Sequence, residues 1–299
     1  MQRRTFLKAT GITLGALSLL NADSLAHFLA DPAYKIKMLT KDIGIFTEKG
    51  GTILFMLNKK GIVVVDSQFE DTARHLIDEI KKKNSRPFDL LINTHHHGDH
   101  TSGNIAFKEL VPHVVAHANS KINQQNSAVK NKSEDKQLYP DVTFTDTWTK
   151  QYKRETLRLH YFGAAHTNGD SLVQFEKDNI IHMGDLVFNR RHPFIDKDAG
   201  ADIANWMKLL EKTTTTFNAG TTYVCGHART GFEVVLTSAD LLAFRDYLGN
   251  VLKFTEGEIK AGKTKEEILK STAIPGSPEW QGDGIERPLT AAYTELTSK

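Results

Sequence analysis

The chain has 299 residues, 39% of them hydrophobic, 25% charged and 9% aromatic, with a formal charge of +2. That is ordinary globular composition, long enough to bury a sizeable core without staples. Such a balance argues against nucleic acid or an anionic membrane surface as partner. The single cysteine, Cys225, excludes an intramolecular disulfide, so stability has to rest on packing or on bound metal.

At the amino terminus, Arg3-Arg4-Thr5-Phe6-Leu7-Lys8 precedes a mild apolar stretch from Ala9 to Leu20, too short to span a bilayer. Ser24-Leu25-Ala26 fits a small-x-small cleavage site, and a site ending at Ala22 is the alternative. The order of these pieces resembles a twin-arginine export signal. The resemblance implies a signal peptide over residues 1–26, a mature domain over 27–299 and the twin-arginine export machinery as a partner. It also implies a periplasmic or secreted location, with no stable membrane insertion after cleavage. The blander reading is an apolar helix with two chance arginines. Without the first 26 residues, which hold three basic residues and one acidic, the charges balance at 35 of each sign.

Short β-branched runs follow, bounded by Gly, Asn, Asp or Lys: Ile53–Leu57, Ile62–Asp66, Leu90–Thr94 and Val114–His117. A second set is Leu157–Tyr161, Leu172–Glu176, Ile180–Gly184 and Thr222–Cys225. Asn58-Lys59-Lys60-Gly61 and Lys177-Asp178-Asn179 read as hairpin turns. Between the runs, Phe69, Ala73, Leu76, Ile77 and Ile80 share one helical face, as do Ile203, Trp206, Met207 and Leu210. Leu241, Leu242, Phe244, Leu248 and Leu252 make a third face behind Thr237 as N-cap, and Thr264 with Glu267 reads as a capping box. Lys121–Gln137 is polar and weakly periodic: an exposed helix or lid on one reading, a solvated loop on the favoured one. Two β-rich halves flanked by helices predict an α/β fold, an αββα sandwich.

The informative segment is Asn93-Thr94-His95-His96-His97-Gly98-Asp99-His100-Thr101-Ser102-Gly103-Asn104, in the loop after a predicted strand. Imidazole and carboxylate ligands this close together suit divalent zinc, iron or manganese. A histidine-rich surface loop would look the same in isolation. His166, Asp185 and His227, however, stand at the ends of three further predicted strands. Four strand ends delivering ligand-type side chains make a site.

In this order the residues resemble the metallo-β-lactamase superfamily, whose signature is His-x-His-x-Asp-His, then an isolated His, an Asp and a final His. The resemblance spans roughly residues 40–230. It implies two divalent metal ions, zinc first, with iron or manganese as alternatives. One ion would take His95, His97 and His166, and the other Asp99, His100 and His227. Asp185 would bridge them, with a shared water or hydroxide between. Asp99 would also orient that hydroxide, as the catalytic residue. The full set is similar to that of dinuclear hydrolases such as glyoxalase II. The stretch from Gly184 through Pro193-Phe194-Ile195-Asp196 is similar to that of secreted members described as hydrolases or cyclases.

The expected activity is therefore hydrolysis of an ester, thioester, lactone or amide bond in a small molecule. A class B-like β-lactamase is an alternative, although those enzymes characteristically lack an Asp where Asp185 stands. A mononuclear iron persulfide dioxygenase is another, and a metal-holding protein without turnover a third. Asp66, ending a predicted strand, is expected either to fix a ligand imidazole or to serve as a turn residue. His96 and His182 are not expected to be ligands, and Cys225 reads as a buried structural thiol. Asn189, Arg190, Arg191 and His192 either touch an anionic substrate or form a solvated basic turn. Trp148, Trp206 and Trp280 read as core, and Lys81–Lys83 as helix-end cations.

Overall fold

A computed structural model describes residues 34–298. The export-signal reading falls on residues 1–26, outside the described residues. Seven strands form the first sheet, in chain order: β1 (Lys35–Met38), β2 (Ile43–Thr47), β3 (Ile53–Asn58), β4 (Gly61–Val65), β5 (Phe88–Ile92), β6 (Val114–His117) and β7 (Val142–Phe144). The second sheet runs β13 (Val235–Leu236), β12 (Thr222–Ala228), β11 (Ile180–Asn189), β10 (Leu172–Phe175), β9 (Thr156–His160) and β8 (Thr147–Gln151).

Strand alternation builds the layers. Along β4 all five residues are buried, because Val63 and Val65 face the second sheet while Ile62 and Val64 point the other way. Between the sheets Ile45, Leu54, Val63, Leu90 and Ile92 meet Leu157, Leu159, Val173, Phe175 and Val224. Outside the second sheet a larger core packs it against α4 (Ile203–Thr216), α5 (Ser238–Lys260), α6 (Lys265–Ile268) and α7 (Glu286–Thr297). Helix α1 (Glu70–Lys83), joining β4 to β5, buries Ala73, Leu76, Ile77 and Ile80 of the predicted face, whereas Phe69, also read into that face, is the N-cap and exposed. This is the αββα sandwich.

Both predicted hairpins form, with Asn58 opposite Gly61 and β10 antiparallel to β11. Thr237 and Thr264 are the N-caps of α5 and α6, and Thr264 Oγ1 accepts from Glu267 N at 3.3 Å. Two expectations need correction. The polar stretch favoured as a loop is mostly helix, α3 (Ala118–Asn131), which buries Ser120, Gln124 and Ala128. Asp185 does not end its strand, because β11 continues to Asn189 beyond a break in its register with β12. At that break Gly184 has a φ of +50°. A bulge there re-aims the next side chain. Among the described residues, no helix is long and apolar enough to cross a membrane.

Candidate metal centre

The loop after β5 is braced before it carries chemistry. Asn93 and Asn104 exchange side-chain amide bonds at 2.8 and 3.0 Å, closing it at its base. A one-turn helix inside it, α2 (Gly98–Thr101), presents Asp99 and His100. From the second sheet come His166, in the β9–β10 connection, Asp185 at the bulge of β11, and His227 on β12.

These seven residues meet in two neighbouring groups. His95, His97, His166 and Asp185 offer ligand atoms that all lie within 4.8 Å of one another, and Asp99, His100 and His227 do the same. In the first group His97 Nδ1 lies 3.1 Å from His95 Nε2 and 2.9 Å from His166 Nε2. Asp185 Oδ2 stands 3.9 Å from His95 Nε2 and 3.6 Å from His166 Nε2. In the second, His227 Nε2 is 3.0 Å from Asp99 Oδ2 and 3.4 Å from His100 Nε2. Asp185 reaches this group too, with Oδ1 at 3.0 Å from His100 Nε2 and Oδ2 at 3.5 Å from His227 Nε2. Asp185 thus borders both groups, and the His95 and His100 rings also meet across them with centroids 4.3 Å apart.

The outer nitrogens decide where the ring protons sit. His166 Nδ1 faces the Phe194 carbonyl at 2.8 Å, and His97 Nε2 faces Asp196 Oδ2 at 2.9 Å. His100 Nδ1 faces Asp66 Oδ2 at 2.8 Å, while His95 Nδ1 meets Thr94 Oγ1 at 3.0 Å. The Thr94 hydroxyl in turn donates to Asp66 Oδ2 at 2.8 Å. Each outer nitrogen thus donates to an acceptor, which leaves bare lone pairs on the inner ones. Three such lone pairs about 3 Å apart repel one another, and a cation is what satisfies them. Tetrahedral zinc at its usual bond lengths separates ligand nitrogens by about 3.3 Å. Asp185 Oδ1, buried and 3.0 Å from His100 Nε2, is the matching atom on the carboxylate side, satisfied either by a proton on that ring or by a cation. The residues fit divalent cations.

Electrostatics agree. Burial and the neighbouring imidazoles hold His95 well below the usual histidine range, and the same causes pull His166 down to about 3. Both are neutral, ligand-ready rings. Burial also opposes a charge on His100, yet Asp185 and Asp66 on either side push it well above the ordinary value. A proton on His100 therefore occupies the place a cation would take. Burial raises the Asp185 and Asp99 carboxyls, but the surrounding histidines outweigh it and both remain ionised.

Asp66 is fully buried and contacts ligand-type residues of both groups, one directly and one through Thr94. Asp196, quoted from the sequence without a role, orients His97, and His96 Nε2 stands 3.6 Å from the same carboxylate. His97 separates these two from the main groups, so this trio reads as support for a ligand ring. His182 is a buried tie, its Nε2 facing the Thr52 carbonyl at 2.8 Å and its Nδ1 accepting from Gly184 N. Cys225 is buried, and burial pushes its thiol up to about 12. Trp206 is fully buried and donates to the Leu186 carbonyl at 3.0 Å. A cleft of about 350 Å³ opens on the site, lined by His97, Asp99, Asp185 and His227 below and by Phe188, Arg191, Phe194 and Arg287 above.

Residues 47–243 match the sequence model of the metallo-beta-lactamase superfamily. The chain belongs to the metallo-β-lactamase superfamily. It is a hydrolase of that fold. Its curated relatives include the metallo-beta-lactamase IND-1 of Chryseobacterium indologenes, 24% identical over 67% of this chain and 82% of the relative. Another is the metallo-beta-lactamase type 2 of Bacteroides fragilis, 27% identical over 31% of this chain and 37% of the relative. Among solved structures, a metallo-beta-lactamase from Pontibacter korlensis superposes with a TM-score of 0.60 at 21% identity, covering 71% of this chain and 99% of the other. The sec-alkylsulfatase Pisa1 from Pseudomonas sp. gives 0.72 at 12% identity, over 88% of this chain and half of the longer protein. At these identities the structural likeness speaks for the fold.

Proposed function

We propose that the chain is a dinuclear metal-dependent hydrolase that cleaves an ester, thioester, lactone or amide bond of a small molecule. One observation carries this reading: the Asp185 carboxylate reaches both ligand groups, with Oδ2 3.6 Å from His166 Nε2 and Oδ1 3.0 Å from His100 Nε2. One ion would take His95, His97 and His166, the other Asp99, His100 and His227, with Asp185 shared. Zinc is the first candidate. Divalent ions held there would lower the pKa of water towards neutrality and polarise the scissile group.

The chain's own residues supply the rest. Asp99, kept ionised and about one third exposed, is the more open of the two carboxylates that face ligand rings and line the cleft. It is placed to orient the attacking water and accept its proton. Asp66 and Asp196 hold three ligand rings in the tautomer that leaves their inner nitrogens free. Phe188 and Phe194 line the cleft beside the ligand residues. β-Lactam hydrolysis is a second reading within this class, favoured by relatives named metallo-beta-lactamases. The sequence also supports export by the twin-arginine route to the periplasm, with cleavage near Ala26.

Elemental analysis of the purified mature protein tests the reading. About two zinc ions per chain are expected, together with turnover on a panel of thioesters, lactones and β-lactams. About one iron per chain, with oxygen consumed on persulfide substrates, would replace it by the dioxygenase reading.

A further inference from the structure

Across the cleft from the ligand residues, two arginines from distant segments come to the same rim. Arg191 follows β11 and Arg287 stands in the first turn of α7. Their neighbour Arg190 is fully engaged, bonded to Glu279 at 3.1 Å, near Asp240 at 3.6 Å and stacked over Trp280. Arg191 makes no ion pair with a described residue. The one carboxylate beside Arg287 is Glu286 at 3.9 Å, and both side chains are more than half exposed. An exposed pair of that kind contributes little and leaves the guanidinium available.

The remaining lining narrows what this rim accepts. His192 is buried, burial lowers its pKa, and its Nδ1 lies 2.7 Å from the Tyr247 hydroxyl, so the ring is neutral. The two carboxylates that line the cleft, Asp99 and Asp185, both face imidazoles. Besides the exposed Glu286 next to Arg287, the rim's charge is therefore two guanidinium groups. Two phenylalanines, Phe188 and Phe194, give this otherwise polar lining its apolar surface, and Phe194 is 46% exposed. Guanidinium is weakly hydrated, planar and matched to a carboxylate through paired donors. A volume of about 350 Å³ sits at the small end of the range for ligand sites.

We propose that Arg191 and Arg287 form a carboxylate-recognition subsite, so that the substrate is a small molecule with an apolar body and a free carboxylate. The proposal rests on the hydrolase reading for the bond that is cleaved, but not for the binding of the anion.

The test uses the zinc-reconstituted full chain and two matched pairs of probes. The first pair is the mono-p-nitrophenyl ester of glutaric acid and its methyl diester. Wild type is expected to prefer the acid by at least about tenfold in kcat/KM, and Arg191→Gln or Arg287→Gln to cut that ratio mainly through KM. The surface variant Lys253→Gln controls for net charge and should keep the ratio. The second pair, 3-mercaptopropionate and its methyl ester, is followed by calorimetric titration and needs no turnover. A carboxylate preference in Kd that the double variant loses supports the subsite, even if neither ester is hydrolysed. That last combination would sink the hydrolase reading alone. No preference in wild type, or one that survives in the double variant, overturns the proposal.

Discussion

Asp66 Oδ2 receives both His100 Nδ1 and the Thr94 hydroxyl, and Thr94 in turn receives His95, so one carboxylate sets two ligand rings. Its backbone has a φ of +64°, which an Asn tolerates and an Ala does not. Asp66→Asn keeps the backbone but places a donor opposite the His100 N–H. We expect cation affinity to fall about 10- to 100-fold, read by chelator competition, and unchanged affinity would remove Asp66 from the site. Asp170 makes a second case. Burial raises its carboxyl to about 8, from the ordinary 3.8, while Thr167 donates to it through N–H and hydroxyl. The folded state thus holds a proton that the unfolded state has released. That contribution is complete below about 3.8 and is lost as pH rises through about 8. In metal-free protein the urea midpoint should decline between pH 6 and 9, and Asp170→Asn should flatten that decline. A wild-type midpoint that rises over this window would contradict the assignment. Both carboxylates act at a distance from the reacting atoms. Only Asp66 was legible beforehand, because a strand end next to a ligand loop is a recognisable place for such a residue. Asp196 was not, since nothing in local spacing links it to His97.

At the scale of elements, the bulge of β11 depends on its support. Trp206 on α4 is fully buried, donates to the Leu186 carbonyl beside Asp185, and packs near His166 with ring centroids 5.7 Å apart. Trp206→Phe leaves that carbonyl unpaired and opens space in the core. A loss of about 2–4 kcal/mol is expected from equilibrium urea unfolding, and a loss under about 0.5 kcal/mol would mean the bond matters little. Gly226 shows the same tightness from β12: a Cβ there would overlap Asp185 Oδ1 and crowd His100 Cε1 at 2.9 Å. The sequence announced the elements whose burial is simple. Every one of the eight apolar runs is a strand, and the three helical faces are helices. It did not announce the buried β2 or the short β7 and β13, nor β1 and β8, with Lys35–Met38 exposed throughout and Thr147–Gln151 alternating between partial and full exposure. The strand character of β1 and β8 comes from hydrogen-bonded neighbours, which no local pattern carries. Helix α7 was unread for a related reason. It packs against α5 and α6, so its buried Leu289, Ala291 and Ala292 follow a tertiary face. With it went Arg287, which only the folded chain brings to the cleft.

The whole molecule gives the metal centre a second consequence. The first ligand group draws His95 and His97 from the first sheet's loop and His166 and Asp185 from the second sheet, and the other joins Asp99 and His100 to His227. Each ion would therefore tie one sheet to the other at the same end of the sandwich. Direct ties there are few: Thr52 N and Oγ1 both donate to the Gly226 carbonyl, His182 meets Thr52 O, and Ser171 N donates to Thr94 O. Without cations the same end brings His97 Nδ1 within 2.9 Å of His166 Nε2, a nitrogen–nitrogen contact between the sheets that a bound ion would relieve. Filling one site at one hundred times its Kd stabilises the native state by about 2.7 kcal/mol. Two filled sites then raise Tm by roughly 10 °C or more for a domain of this size. Stripping with chelator should reverse that shift. Hydrogen exchange should rise first in the segments 94–104, 163–171 and 226–232, while the inter-sheet core around Leu54, Leu90 and Val173 stays protected. Uniform loosening of both sheets, or no change in these segments, would show that the two sheets are held together without the ions.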